Sequence, residues 1–153
     1  MNLSNRDVDY MFKDILKLSI YPIIGHKHTT YLHEVDIGGK TLFGNKYMGT
    51  FTSDKFPKLT DDIPYCIINV DTTNEPGSHW MGVCKYSGAD KYLVFDSFGR
   101  KSNVLISNVA KIKKIVDTNY DKDQLVKQTD CGQRCLSFLV LCDLFGVDVS
   151  KKL

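Results

Sequence analysis

Two thiols stand four residues apart in "QTDCGQRC", Gln128 to Cys135, directly ahead of the most apolar run of the chain. Three chemistries fit such a stretch: buried core cysteines, half of a metal or redox pair, or a nucleophile at the start of a helix. A thiol becomes a strong nucleophile when its thiolate is stabilised, and a helix N-terminus beside an imidazole does that. Cys131 stands where the apolar run to Phe145 begins. Asp130 is placed to cap that helix, and Gly132 lets another backbone or a substrate come close. Cys135 and Cys142 fall deeper in the run and read as core cysteines, free cysteine being among the most buried residue types.

A nucleophilic thiol needs a base, and the chain offers four histidines. His79 opens the extended stretch "HWMGVCKY", which a turn at "SGAD" connects to "KYLVFDSF". If that turn closes symmetrically, Tyr86 faces Lys91 and Met81 faces Asp96. His79 and Asp96 then become diagonal neighbours on one face, about 7–8 Å apart at Cα. A carboxylate at that distance can bond Nδ1 of the imidazole, fix its tautomer and support the imidazolium formed when the thiol loses its proton. Read singly, His79 is an ordinary strand residue and Asp96 an ordinary turn former; with a helix-starting Cys-Gly they form a catalytic set. An oxyanion donor is still needed, and Gln124 and Gln128, both in the polar stretch before Cys131, are equal candidates on composition alone. His26, His28 and His33 have no cysteine or carboxylate pair beside them at zinc spacing, so no metal site is expected.

The elements that must position these residues follow from periodicity. Val8, Met11, Phe12, Ile15, Leu16 and Leu18 recur at helical spacing behind a possible cap at Ser4 or Asn5. From Ser19 to Asn45 turn formers break the pattern. Short strand-like pieces at Thr29 to Val35 and Lys40 to Phe43 flank Gly38-Gly39, which predicts a hairpin or loop. Three strands are expected at Tyr65 to Val70, His79 to Tyr86 and Lys91 to Phe98. Leu105, Val109, Ile112 and Val116 share a helical face, a polar loop runs from Asp117 to Asp130, and the last helix, apolar nearly all round, must lie buried before Gly146 ends it.

With 153 residues, 42% apolar and 25% charged, the chain reads as one globular domain, residues 1 to 153. Charges within its first twenty residues leave no signal core or membrane span, so it is expected to be neither secreted nor membrane-bound. Five cysteines, an odd number, favour reduced thiols. A net charge of +2 does not by itself imply nucleic-acid binding. Lys111, Lys113 and Lys114 read as a solvated helix face, and Lys151 with Lys152 as a frayed terminus, in preference to phosphate contacts.

"HW" at His79-Trp80, "FDSFG" at Phe95 to Gly99 and "CGQRCLSFL" from Cys131 resemble the adenovirus protease (adenain) superfamily, which also contains the SUMO-specific proteases. "YMGTFTSDKFPK" and "CIINVDTTNEPGSHW" are similar to the adenain-like proteases of double-stranded DNA viruses and virus-like transposons, so the likeness extends from Tyr47 to Phe145. The resemblance implies an α/β (α+β) permuted papain-like fold: a central mixed sheet with a buried helix carrying the nucleophile. It implies a Cys131 nucleophile, a His79 base, an Asp96 orienter and, seven residues before the cysteine, Gln124 as oxyanion donor. Trp80 and Gly132 would line a narrow passage for small substrate residues, with Tyr47 or Phe51 as its second wall. The function implied is a cysteine endopeptidase that cuts viral or virus-like structural precursors near glycine; the alternative is a deconjugating protease for SUMO or other ubiquitin-like proteins. Adenovirus enzymes usually carry Glu where Asp96 stands, and their chains continue past the cysteine helix. No cofactor is therefore required on this reading, an activating peptide or DNA entering by analogy alone. Polypeptide substrates, capsid or core precursors, are the expected partners, with DNA a further one by the same analogy. The expected state is a monomer, in the virion or in host cytoplasm or nucleus.

Overall fold

Alternating, β-branched and aromatic stretches in the middle of the chain pair into a sheet, and the apolar helix that follows has nowhere to hide but against it. A computed structural model describes residues 2–25, 32–71, 79–106, 114–118 and 130–153. Five strands, β1 (Tyr47–Thr52), β2 (Tyr65–Asn69), β3 (Trp80–Lys85), β4 (Lys91–Phe95) and β5 (Lys114–Asp117), form one sheet in sequence order. The outer pairs, β1 with β2 and β4 with β5, are parallel, and the inner pairs are antiparallel. The molecule is thus a mixed α/β structure on a five-stranded mixed sheet.

The described α-helices are α1 (Asn5–Ile15), α2 (Tyr21–Ile24), α3 (Leu32–Phe43), α4 (Ser102–Leu105), α5 (Cys131–Phe145) and α6 (Val147–Ser150). Ser4 caps α1 reciprocally with Asp7: the Asp7 N–H donates to Ser4 Oγ (3.1 Å) and the Ser4 N–H to Asp7 Oδ2 (3.0 Å). A π-helical turn, Leu16–Ile20, carries α1 on to α2. Helix α5 ends at Gly146, whose φ of +85° suits glycine and whose N–H closes on the Cys142 carbonyl at 3.0 Å.

The sheet separates two apolar layers. On one face Ile67, Trp80, Cys84, Leu93 and Phe95 pack against α5 and α1, with Phe95 stacked on Phe138 at 5.2 Å between ring centroids. On the other, Cys66, Ile68, Met81, Val83, Tyr92 and Val94 are covered by Leu59 and Ile106. Helix α5 comes down on β3 at Gly82, where a Cβ would lie 2.8 Å from Phe138 Cδ2 and 3.4 Å from the Cys135 carbonyl oxygen.

Several expectations are corrected. Within the stretch read as two strand-like pieces about Gly38-Gly39, the described residues Leu32–Phe43 are helix α3, because both glycines are contact points. A Cβ at Gly38 would lie 2.8 Å from Leu136 Cδ1 on α5, and one at Gly39 would run into the Tyr47 ring. Packing between α5 and β1 outweighs the poor helix propensity of a glycine pair. Val116, expected on a helical face, lies in β5, and Leu105 ends the short α4; Val109 and Ile112 lie outside the described residues, as does most of the polar stretch before Asp130. Strands β1 and β5 flank the three that periodicity predicts. The C-terminus is not frayed: Leu153 is buried, and Lys152 Nζ donates to the Leu3 carbonyl at 2.6 Å.

The Gly82 contact yields a test. Gly82→Ala should destabilise the protein by about 1–3 kcal/mol, the usual cost of overpacking a tight core. Urea unfolding followed by circular dichroism measures it, and a loss below about 0.5 kcal/mol would mean that α5 can lift off β3 freely.

Candidate active site

The β3–β4 hairpin closes as the alternation predicts, pairing Gly82 with Phe95, Val83 with Val94, Cys84 with Leu93 and Lys85 with Tyr92. Its open end therefore carries His79, immediately before β3, and Asp96, immediately after β4. Helix α5 runs alongside β3 in the same direction, so its first residue, Cys131, reaches the same end. The Cys131 thiol lies close enough to His79 to favour its protonated form. All three residues are buried, as are Trp80 and Gly132 beside them.

His79 bonds Asp96 Oδ1 through Nε2 rather than through the expected Nδ1. The exchange of nitrogens leaves Nδ1 as the one free to meet the thiol. Asp96 is saturated with donors. Oδ1 also accepts from the Phe98 N–H (3.3 Å), while Oδ2 accepts from the Arg100 N–H and from Arg100 Nε, each at 3.0 Å. Burial works to raise the Asp96 pKa, but the bonds and charges of His79 and Arg100 outweigh it and hold the carboxyl below its ordinary value. For His79, burial is again the largest single cause and pushes the pKa down. Asp96 and Cys131 together overcome it, and the imidazole is shifted upward. The Phe98 ring stacks on the imidazole at 4.6 Å with 19° between planes.

Asp130 occupies the position before α5 without capping it through its side chain. Its Oδ1 takes Arg134 Nε at 3.0 Å and its Oδ2 takes the Tyr21 hydroxyl at 2.7 Å. Gln133 Nε2 donates to the Gly25 carbonyl at 3.1 Å. These bonds tie the N-terminal segment to the first turn of α5, and they leave the N-terminal end of the helix dipole without a carboxylate cap next to Cys131. An acidic residue four before an arginine is a helical pairing signal that "DCGQR" displays; the Tyr21 partner, far away in sequence, has none.

The other expected residues divide. Gln124 and Gln128 lie outside the described residues, with His26 and His28. His33 is exposed on α3, and among the described residues no group of three potential ligands can hold a metal. Tyr47 pairs with Tyr65, at the far end of β2 from the Asn69–Trp80 pair, and so cannot wall a passage beside Trp80. Phe51 lies at the correct end but packs with the opposite apolar layer. All five cysteines are free, and burial raises the thiols of Cys66, Cys135 and Cys142 well above their ordinary value. Among the described residues no helix is long and apolar enough to cross a membrane.

A thiol, an imidazole and a buried carboxylate in series can add sulfur to an electrophilic carbon while the imidazole carries the proton. Iodoacetamide at neutral pH should accordingly label Cys131 before the other thiols; peptide mapping that finds Cys66 or Cys84 labelled first would remove the basis for a nucleophile here. The linked pKa shifts also set a pH window. Stability from the raised His79 is fully present below about pH 6.5 and lost as pH rises through its folded value; that from the depressed Asp96 is present above about pH 3.9 and lost as pH falls through its folded value. His79→Gln should flatten the decline of Tm above pH 6.5, and an unchanged slope would show that the pair does not contribute. No protein-family model matches this chain, nor does any curated protein.

Proposed function

We propose that the chain is a cysteine endopeptidase with a permuted papain-like fold, in which Cys131 is the nucleophile, His79 the base and Asp96 its orienter. One observation carries the reading: a buried imidazole lies between a donor-saturated carboxylate and a thiol that begins a buried helix. Sulfur attacks the scissile carbonyl, and the proton held by His79 passes to the leaving amine. The resulting thioester is opened by a water that His79 deprotonates, releasing the acid and restoring the thiol. The oxyanion formed in each half-reaction is met by the Cys131 N–H and, following the family resemblance, by the Gln124 amide. Trp80 and the Gly132 backbone suit a narrow passage that favours glycine beside the cut. By the same resemblance the substrates are structural precursors of a virus or virus-like element.

Cys131→Ala should leave the fold nearly intact and abolish turnover of a Gly-Gly peptide, and His79→Ala should cost nearly as much because the members of such a set act as one unit. Residual cleavage by the Cys131 variant would refute the assignment. Asp96→Asn should lose less rate and move the alkaline limit of activity downward, since the carboxylate no longer supports the imidazolium. Gln124→Ala should lower kcat by roughly 100–1,000-fold with KM little changed; a larger loss in Gln128→Ala would transfer the oxyanion role. A SUMO-like fusion cleaved orders of magnitude faster than the matched peptide would replace the endopeptidase reading by deconjugation.

A further inference from the structure

The five residues Asp96 to Arg100 fold back on themselves. The Gly99 N–H bonds the Asp96 carbonyl at 2.9 Å, and Gly99 takes a φ of +70°, a conformation that suits glycine. The reversal brings Phe98 over the imidazole of His79 and Arg100 back to the second oxygen of Asp96. The Arg100 guanidinium also lies over the Phe98 ring, 4.7 Å from its centroid, so one ring touches both of the groups that share the Asp96 carboxylate. We propose that Arg100 is a positioning residue for the Cys131–His79–Asp96 set, dividing the charge of Asp96 with His79 and so limiting how tightly the imidazole holds its proton. Its effect on turnover rests on the endopeptidase reading; its effect on His79 does not.

Geometry separates this role from simple bracing. Asp96 keeps its place without the guanidinium, because the backbone N–H groups of Phe98 and Arg100 hold one oxygen each. What the guanidinium adds is a permanent positive charge. Donors on Oδ2 draw charge away from Oδ1, the oxygen that faces His79, and the guanidinium repels an imidazolium bound to the same carboxylate. The other groups around the pair are Cys131 and Cys135 from α5 and, bordering a cavity of about 240 Å³ beside Asp96, Lys101 and Asp117. The Asp117 carboxylate is occupied by the Ser102 N–H at 3.1 Å. An imidazolium facing Asp96 alone would be slower to yield its proton to a leaving amine, so Arg100 keeps the base able to work in both directions.

The test is a titration of His79 in the full chain labelled with ¹³C histidine, its resonance identified by its loss in His79→Ala. Arg100→Gln should raise the His79 midpoint by roughly 0.5–1 pH unit, the scale expected for a partly exposed cation bonded to the same carboxylate. Arg100→Lys should return the midpoint toward wild type, and Arg100→Met, a second neutral variant, should reproduce the rise. A midpoint that stays within about 0.2 unit of wild type, or that falls, overturns the proposal, as does a lysine variant indistinguishable from glutamine. Because the readout needs no turnover, a protein that cleaves no peptide can still show the shift, and an active enzyme without the shift refutes only the role of Arg100.

Discussion

Helix α5 can lie against strand β3 only because position 82 has no side chain. That single close approach sets the height of the helix along the strand. Phe138 and Cys135 sit over Gly82, Cys142 reaches the level of Cys84, with which it interacts, and Cys131 arrives beside His79 at the other end. A shift of one helical turn, about 5.4 Å, would carry the thiol out of reach of the His79 imidazole. Interior packing, which tolerates neither voids nor overlaps, thus becomes the ruler that measures the candidate site. The glycines of α3 play a related part, letting that helix wedge between α5 and β1 and hold α5 down from the side.

The second constraint is electrostatic. A carboxylate with its side chain 1% exposed cannot remain ionised without donors, and among the described residues the donors to Asp96 come from the open end of one hairpin and the turn that follows. The same turn supplies the ring that covers His79. Desolvation is the largest influence on both partners and opposes the charged form of each, so their ionisation depends on mutual contact rather than on solvent. Such a pair is costly to build and sensitive to small changes around it, and the exposed Arg100, four residues along, shares the Asp96 carboxylate with the imidazole.

The first turn of α5 is braced from the opposite side of the molecule. The buried Asp130–Arg134 pair and the Tyr21 hydroxyl form a small network, joined nearby by Gln133 and the Gly25 carbonyl. Breaking one partner of a buried pair strands the other. The arrangement therefore couples the N-terminal segment to the residue that begins the helix, and the carboxylate next to Cys131 is spent on this bracing rather than on the helix N–H groups that an incoming negative charge would use.

Local rules made much of this legible in advance. The register of the β3–β4 hairpin follows from a short turn and a period of two, and the face shared by His79 and Asp96 follows from that register. The Ser4 cap and the Gly146 stop are set by neighbours within a few residues, and an all-round apolar segment has to be buried wherever the chain puts it. Tertiary structure alone decided the rest, because the deciding partners are distant in sequence. A glycine pair became helical where α5 and β1 left room for nothing larger. Lys114–Asp117 became an edge strand because β4 offered an unpaired ladder. Asp130 abandoned its cap for Tyr21, 109 residues away. The imidazole turned Nε2 toward Asp96 because the thiol occupies its other side. Periodicity records which face a residue shows; which atom on that face meets which partner is determined only when separate elements are packed to contact.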